Sequence, residues 1–143
     1  YSPSGDFTTR RAGSLLEMRA DVRNEVTAAT LLEVFYELDR MAATTPTPDE
    51  LAGAKRYQAG LYLLRNQVQE AVSGTLARNW VNGLPPEALG EFVTKVNAVT
   101  ADGVRAAGRK HFLSSSQTVV VVGDAKEARA QLELFGKVVE VQP

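Results

Sequence analysis

The stretch SLLEMRADVRNEVTAATLLEVFYELDRMA, residues 14–42, changes its hydrophobic period within a few residues. In its first part Leu16, Met18, Ala20 and Val22 alternate with charged residues, which predicts a strand with one buried and one exposed face. From Asn24 onward apolar residues recur at steps of three and four, which predicts an amphipathic helix with Asn24 as its N-cap. A strand followed directly by a long helix indicates an α+β chain.

The segments on either side of this stretch extend the same α+β pattern. Residues 1–9 are predicted to pair with the first strand as a hairpin, with residues 11–13 as the turn, although Pro3 and Gly5 favour an edge or a bulge. Four more helices are predicted downstream, then a strand over residues 119–122, a helix and a final strand. We therefore predict a mainly antiparallel sheet covered on one face by helices, forming a single domain over residues 1–143.

Local signals mark where the predicted helices begin. Thr47, Pro48 and Glu50 form the sequence of a capping box with proline at the first helical position. Thr100 is expected to cap a later helix, which carries basic residues in its last turn. These positions predict helix starts independently of any tertiary contact.

Four large side chains fall on the apolar stripes of successive helices. They are Phe35, Leu61, Trp80 and Phe92. The periodicity predicts that all four are buried, and truncating Phe35 or Trp80 to alanine would then cost about 3–5 kcal/mol.

Composition excludes several classes of function. The net charge is −1, so the chain offers no basic excess for neutralising nucleic-acid phosphates. The aliphatic run at residues 119–122 is far shorter than the roughly 20 residues of a membrane span. The chain has no cysteine, which removes disulfide and thiolate chemistry and leaves the compartment open.

The sequence VVVVGDAKEARAQLELFG, residues 119–136, is typical of a strand, a turn and a helix, an order that also begins many nucleotide-binding sites. A dinucleotide fingerprint needs G-x-G-x-x-G, and a P-loop needs a second glycine followed by Lys and Ser or Thr. Here Gly123 stands alone, so we expect Gly123 to turn the chain and Asp124 to cap the helix. A small-molecule site at this turn is the alternative.

The residues needed for autonomous catalysis are sparse. A catalytic zinc usually takes three protein ligands, but the chain has one histidine, His111, and no H-E-x-x-H motif or its inverse. A Ser/His/Asp triad would need the same His111, and no G-x-S-x-G motif is present. We expect a surface or capping role for His111, no metal ligand in this chain and no activity of the chain alone.

Five blocks occur in a defined order along nearly the whole chain. They are YSPSGDF, PTPDELAGAK, NGLPPEAL, VNAVTADGVRAAGRKHF and VVVVGD. In this order they resemble the second, non-catalytic half of the M16 zinc peptidases, the pitrilysin and insulinase-type family. Each block alone is weak, and the order and spacing make the set fairly specific.

The resemblance implies a fold and a role. In the M16 family two homologous α+β halves enclose a chamber, and one half carries zinc on a His-x-x-Glu-His motif. This chain would be a part of the zinc-free half, truncated at its N-terminus, which encloses and positions peptide substrate. Its implied partners are the zinc-bearing half, on the same or another chain, and the peptide, in the bacterial cytoplasm or periplasm. The missing preceding segment would leave an open sheet edge, so we also expect self-association.

One site residue follows from the resemblance. The family's second half often holds an arginine and, later in the same segment, a tyrosine that bind substrate carbonyls, and Tyr1 matches the tyrosine. The arginine would precede Tyr1, which leaves the pair unconfirmed, and Gly103 stands where the family usually has an acidic residue. The alternatives are that Tyr1 is only a strand residue and that the chain is a structural subunit of the same fold, like the core proteins of respiratory complexes.

Overall fold

The computed structural model describes residues 3–141, in which strands precede a succession of helices. The elements are β1 (Ser4–Arg10), β2 (Gly13–Arg19), α1 (Thr27–Ala43), α2 (Pro48–Arg65), α3 (Gln69–Val81), α4 (Ala88–Ala98), α5 (Ala101–His111) and α6 (Ala125–Leu132). Short 3₁₀ turns lie at Asn24–Val26 and Ser114–Ser116. The general α+β class predicted from the sequence is confirmed.

The two strands form an antiparallel hairpin, as predicted, with Arg11 and Ala12 between them. The predicted buried face is wrong in detail, because Leu16 is half-buried while Met18 is 47% exposed. Within residues 3–141 the sheet has these two strands alone. A two-stranded ribbon offers little surface under which alternate side chains can be buried.

The valine segment at residues 119–122 differs from the sequence prediction. It belongs to no strand ladder in the described part of the chain, and neither does the predicted final strand before Val141. Valine favours an extended backbone through its branched Cβ, but a strand exists only where a second segment accepts and donates its backbone hydrogen bonds. The local pattern was therefore insufficient to predict a paired strand.

The described residues group into two compact units. One comprises residues 3–4, 19–44 and 105–141, and the other comprises residues 5–18 and 45–104.

In the first unit, α1 packs against α6 and against both 3₁₀ turns. Its buried apolar side chains are Leu38, Ala42 and Ala128, and the buried Thr27 hydroxyl donates to the Asn24 carbonyl at 2.9 Å. The small side chains among these residues allow close approach, so this core is thin.

The end of α5 contacts the end of α1 in the same unit. The Arg109 Nε donates to the Ala42 carbonyl oxygen at 3.0 Å, next to Gly108, which is buried. Beyond α5, the Ser114 hydroxyl and backbone N–H donate to the two carboxylate oxygens of Asp39 at 2.6 and 2.9 Å. These polar contacts join the chain after α5 to α1.

In the second unit, α4 packs against both α2 and α3. The Lys55 Nζ on α2 donates to the Asn97 carbonyl near the end of α4 at 2.8 Å, where a cation also complements the helix dipole. Lys55 is half-buried in this arrangement.

Most of the predicted helix starts are confirmed. Thr47 and Glu50 form the full capping box ahead of Pro48, and Thr100 Oγ1 accepts from the Gly103 N–H at 3.0 Å. The N-cap prediction for Asn24 is wrong, because Asn24 begins a 3₁₀ turn and Val26 occupies the cap position of α1.

The predicted burial of four large side chains is only partly realised. Phe35, Leu61 and Phe92 are half-buried, whereas Trp80 is 77% exposed. On the same helix as Leu61, the side chain of Tyr57 is 67% exposed. Helix α2 is apolar at four consecutive positions, residues 61–64, so periodicity alone does not define which face packs.

Candidate functional site

A cleft of about 470 Å³ lies within the second unit. Strand β1 contributes Phe7, Thr8 and Thr9, while α3 and α4 contribute Arg78 and Phe92.

Helix α2 presents one face to this cleft. Gln58, Leu61, Tyr62 and Arg65 line it at helical spacings of three, four and seven residues. Residues at these spacings lie along one stripe of an α-helix, which explains how a single element supplies four lining side chains. The cleft has the volume of a small-ligand site, for which about 300–1,000 Å³ is usual.

An aromatic pair forms the apolar part of the cleft. The rings of Tyr62 and Phe92 stack with centroids 4.1 Å apart and an interplanar angle of 20°. The Tyr62 hydroxyl donates to the Leu89 carbonyl oxygen at 2.9 Å, which orients the ring. Burial raises the pKa of the Tyr62 phenol above its ordinary value, so the group is neutral and a donor at physiological pH.

Two guanidinium groups supply the charge of the cleft. Arg65 is the last residue of α2 and Arg78 lies in the last turn of α3, and both side chains are exposed. Among the described residues neither arginine forms an ion pair, and no Asp or Glu lines the cleft. The side of the cleft near these residues is therefore positively charged.

None of these cleft residues was predicted from the sequence as a site residue, although Leu61 and Phe92 were predicted to be buried. The signal in the sequence was the helical spacing from Gln58 to Arg65, but the four consecutive apolar residues at 61–64 define no single face of the helix. Arg78 comes from another helix, and its place in the lining of the same cleft is a tertiary relationship with no local sequence signature.

The turn at Gly123 lies close to Asn24 and leads directly into the capped start of α6. The Asn24 side-chain oxygen lies 3.0 Å from the position that a β-carbon on Gly123 would take. Asp124 caps α6 as predicted, since its carboxylate accepts from the Lys126 N–H at 2.8 Å. A carboxylate already bonded to the first turn of α6 opposes a second anion at the same N–H groups, which favours the architectural interpretation.

A polar network holds this turn against the start of α1. The Gln131 amide donates to the Asn24 carbonyl at 2.8 Å and accepts from the Ala28 N–H at 3.1 Å. The Asn24 amide donates to Glu127 Oε2 at 3.1 Å. Asn24 therefore contacts α6 rather than capping α1.

The remaining sequence candidates do not join the cleft. His111 is exposed at the last position of α5, and its ring lies 6.4 Å from that of Phe112. Over residues 3–141 no group of three or more His, Cys, Asp or Glu side chains is arranged to hold a metal ion. Tyr1, the substrate-binding residue implied by the resemblance, lies outside the described residues.

Comparisons with protein families, curated proteins and solved structures give no match to this chain. The resemblance to M16 peptidases therefore rests on the five sequence blocks. In the described part of the chain, no helix combines the length and the apolar character needed to cross a membrane.

Proposed function

We propose that this chain is a non-catalytic part of an M16-type zinc peptidase, which helps to enclose and position a peptide opposite a zinc-bearing half. The observation that carries the proposal is the large amount of apolar surface that the chain leaves uncovered. Among the described residues only Leu38, Ala42 and Ala128 are buried hydrophobic side chains. A chain of 143 residues that functioned by itself would bury most of its apolar surface.

The exposed apolar side chains are distributed over several elements. The side chains of Phe7 on β1, Trp80 on α3 and Val122 in the valine segment are 63%, 77% and 96% exposed. Where exposed apolar side chains adjoin one another, they mark protein interaction sites. The sequence resemblance implies a second homologous half, and we expect that half to cover these side chains.

The positions of the five sequence blocks also support the proposal. The block at residues 46–55 begins α2 with its capping box, and residues 82–89 connect α3 to α4 through Gly83, whose φ is +77°. The block at residues 96–112 contains the Thr100 cap and α5. These three blocks thus coincide with helix starts or connections, where sequence constrains backbone geometry most directly.

In this proposal the zinc belongs to the partner half and Tyr1 binds a carbonyl of the peptide. A phenol that donates to that oxygen would orient the scissile bond and stabilise negative charge developing there. In the absence of the partner, we expect the exposed backbone edges of this chain to pair two copies.

Reconstitution with a zinc-bearing M16 half encoded by the same or a neighbouring gene tests the proposal. Cleavage of a fluorogenic peptide should require both components, and this chain alone should hold no stoichiometric zinc. Tyr1→Phe in the complete peptidase should lower turnover by on the order of 10²–10³ while zinc content stays unchanged. Assembly without hydrolysis would instead favour the structural-subunit alternative, and activity within about twofold of the parent would remove Tyr1 from the site.

A matched pair of variants tests the uncovered surface itself. Val122→Lys adds a charge at a side chain that is 96% exposed, so the isolated chain should remain folded. The same variant should weaken assembly with the zinc-bearing half, whereas Thr118→Lys, at an exposed position just before the valine segment, serves as the control. Equal assembly of both variants with the parent would show that the partner does not cover Val122.

A further inference from the structure

We propose that the cleft of the second unit binds the C-terminal carboxylate of a peptide whose last residue is apolar. The proposal concerns Arg65, Arg78 and the Tyr62–Phe92 stack, and it does not depend on any peptidase role. It is derived from the chemistry that these side chains combine in one concave surface.

The two arginines define the charge of the ligand. Two cations that border one cleft repel each other, and this repulsion is relieved when an anion binds between them. The guanidinium group presents a planar fork of donors that matches a carboxylate in a bidentate arrangement. Since no ion pair within residues 3–141 uses Arg65 or Arg78, their donors are available to a ligand.

Helix-dipole stabilisation is a simpler explanation for each arginine taken singly. Both arginines lie in the last turns of their helices, where a cation is favourable by a few tenths to about 1 kcal/mol. That effect does not require the two side chains to border the same cleft. A dipole role also predicts a loss of stability without any loss of binding, so the two explanations can be separated by experiment.

The rest of the lining defines the body of the ligand. The Tyr62 hydroxyl already donates to Leu89, so the phenol offers its ring rather than a free donor. The half-buried Leu61 and Phe92 add apolar surface, while Gln58 and Thr9 add neutral hydrogen-bonding groups of the kind that bind a peptide unit. An anion with an apolar side chain and an amide group satisfies all of these features.

The cleft volume favours a short bound segment. A space of about 470 Å³ lies within the usual range of small-ligand sites. The end of a peptide is therefore a better occupant than an internal stretch, because its carboxylate supplies the charge that internal residues lack.

Titration of the full chain with short peptides tests this proposal directly. The probes are N-acetyl-Ala-Phe as the free acid, the same dipeptide as its C-terminal amide, and inorganic phosphate. Binding is followed by calorimetry and by the NMR signals of the arginine Nε–H groups. The free acid should bind saturably, and the amide and phosphate should each bind at least about tenfold more weakly, because each lacks one of the two interactions.

Substitutions identify the residues involved. Arg65→Gln and Arg78→Gln should each weaken binding of the free acid about tenfold, the usual effect of losing a charged hydrogen bond. Arg56→Gln removes an exposed arginine from the same helix as Arg65 but outside the cleft, so its affinity should equal that of the parent. Thermal unfolding of each variant checks that the fold is retained.

Three outcomes would overturn the proposal. The first is no saturable binding of the free acid by the folded parent chain. The second is equal affinity for the acid and either the amide or phosphate, since the carboxylate or the apolar body would then contribute nothing. The third is an equal loss of affinity in Arg56→Gln and Arg65→Gln, which would indicate a diffuse charge effect.

Discussion

Gly108 on α5 lies directly against the backbone of Met41 on α1. A β-carbon on Gly108 would come within 2.5 Å of the Met41 carbonyl oxygen and 2.8 Å of its carbonyl carbon. Atoms of the main chain cannot move aside as a flexible side chain can, so alanine at this position must displace a helix. We expect Gly108→Ala to destabilise the chain by about 1–3 kcal/mol, measured by urea unfolding.

Gly74 provides the matched control for this substitution. It lies inside α3, and apart from its chain neighbours and the backbone of its own helix no heavy atom of the described residues lies within 4 Å of the position that its β-carbon would take. Alanine is the better helix former by roughly 0.5–1 kcal/mol, so Gly74→Ala should raise the unfolding free energy by about this amount. Changes of the same sign in both variants would contradict the close contact at Gly108.

The hydrogen bond from Tyr62 to the Leu89 carbonyl should be measurable separately from the ring stack. Tyr62→Phe keeps the ring on Phe92 and removes only the donor, so we expect a loss of about 0.5–1.5 kcal/mol near neutral pH. Tyr57→Phe changes a tyrosine on the same helix that is 67% exposed, and its effect should stay within about 0.5 kcal/mol.

Because the pKa of Tyr62 is shifted, the difference in unfolding free energy between the parent and Tyr62→Phe should depend on pH. Burial raises the folded-state pKa of the phenol, so folding favours the protonated form. The stabilisation is complete below the unfolded-state pKa of about 10 and is lost as pH rises through the folded-state value. The stability difference between the parent and Tyr62→Phe should therefore shrink at alkaline pH, and a constant difference through the phenol titration would exclude burial as the cause.

The contact between Asp39 and Ser114 indicates that the stability of the fold also depends on pH under acidic conditions. The Ser114 hydroxyl, and then its backbone N–H, donate to the Asp39 carboxylate and lower the pKa of that group, with a small opposing effect of burial. A lowered folded-state pKa stabilises the fold above the usual Asp pKa of about 4, and this contribution is lost as pH falls through the folded-state value.

Asp39→Asn should therefore be less stable than the parent near neutral pH, and the difference should narrow on acidification. Denaturation midpoints measured between about pH 6 and pH 3 give this profile. Asp21→Asn changes an exposed aspartate that bonds no described residue and serves as the control. A pH-independent difference for Asp39→Asn would assign its effect to packing rather than to the carboxylate.

Local chemistry explains how much of this fold the sequence could predict. Thr47, Thr100 and Asp124 cap helices through hydrogen bonds within three residues, so their roles depend on little beyond the neighbouring chain. The hairpin was predictable for a similar reason, because its two strands are consecutive and joined by a short turn. Asn24 was the exception, since its amide bonds Glu127 from a distant segment.

Features that depend on distant segments could not be predicted in the same way. The valine segment at residues 119–122 has a strand-like composition, but strand formation depends on a partner elsewhere in space. The cleft required residues of β1, α2, α3 and α4 to line one space, and no spacing in the sequence encodes that arrangement. The M16 assignment, the single domain over residues 1–143 and the role of Tyr1 remain predictions.

Trp80 gives the clearest test of burial in the isolated chain, because it is the only tryptophan. The sequence periodicity predicts a buried side chain, whereas the structure leaves 77% of it exposed. We expect emission close to that of free tryptophan, efficient quenching by acrylamide, and a loss below about 0.5 kcal/mol in Trp80→Ala. Phe35→Ala is the comparison, since Phe35 is half-buried and meets Phe135 edge-on at 5.6 Å, and it should cost more than 1 kcal/mol. If Trp80→Ala instead costs about 3–5 kcal/mol, the helix packs in solution on the face that the sequence indicated.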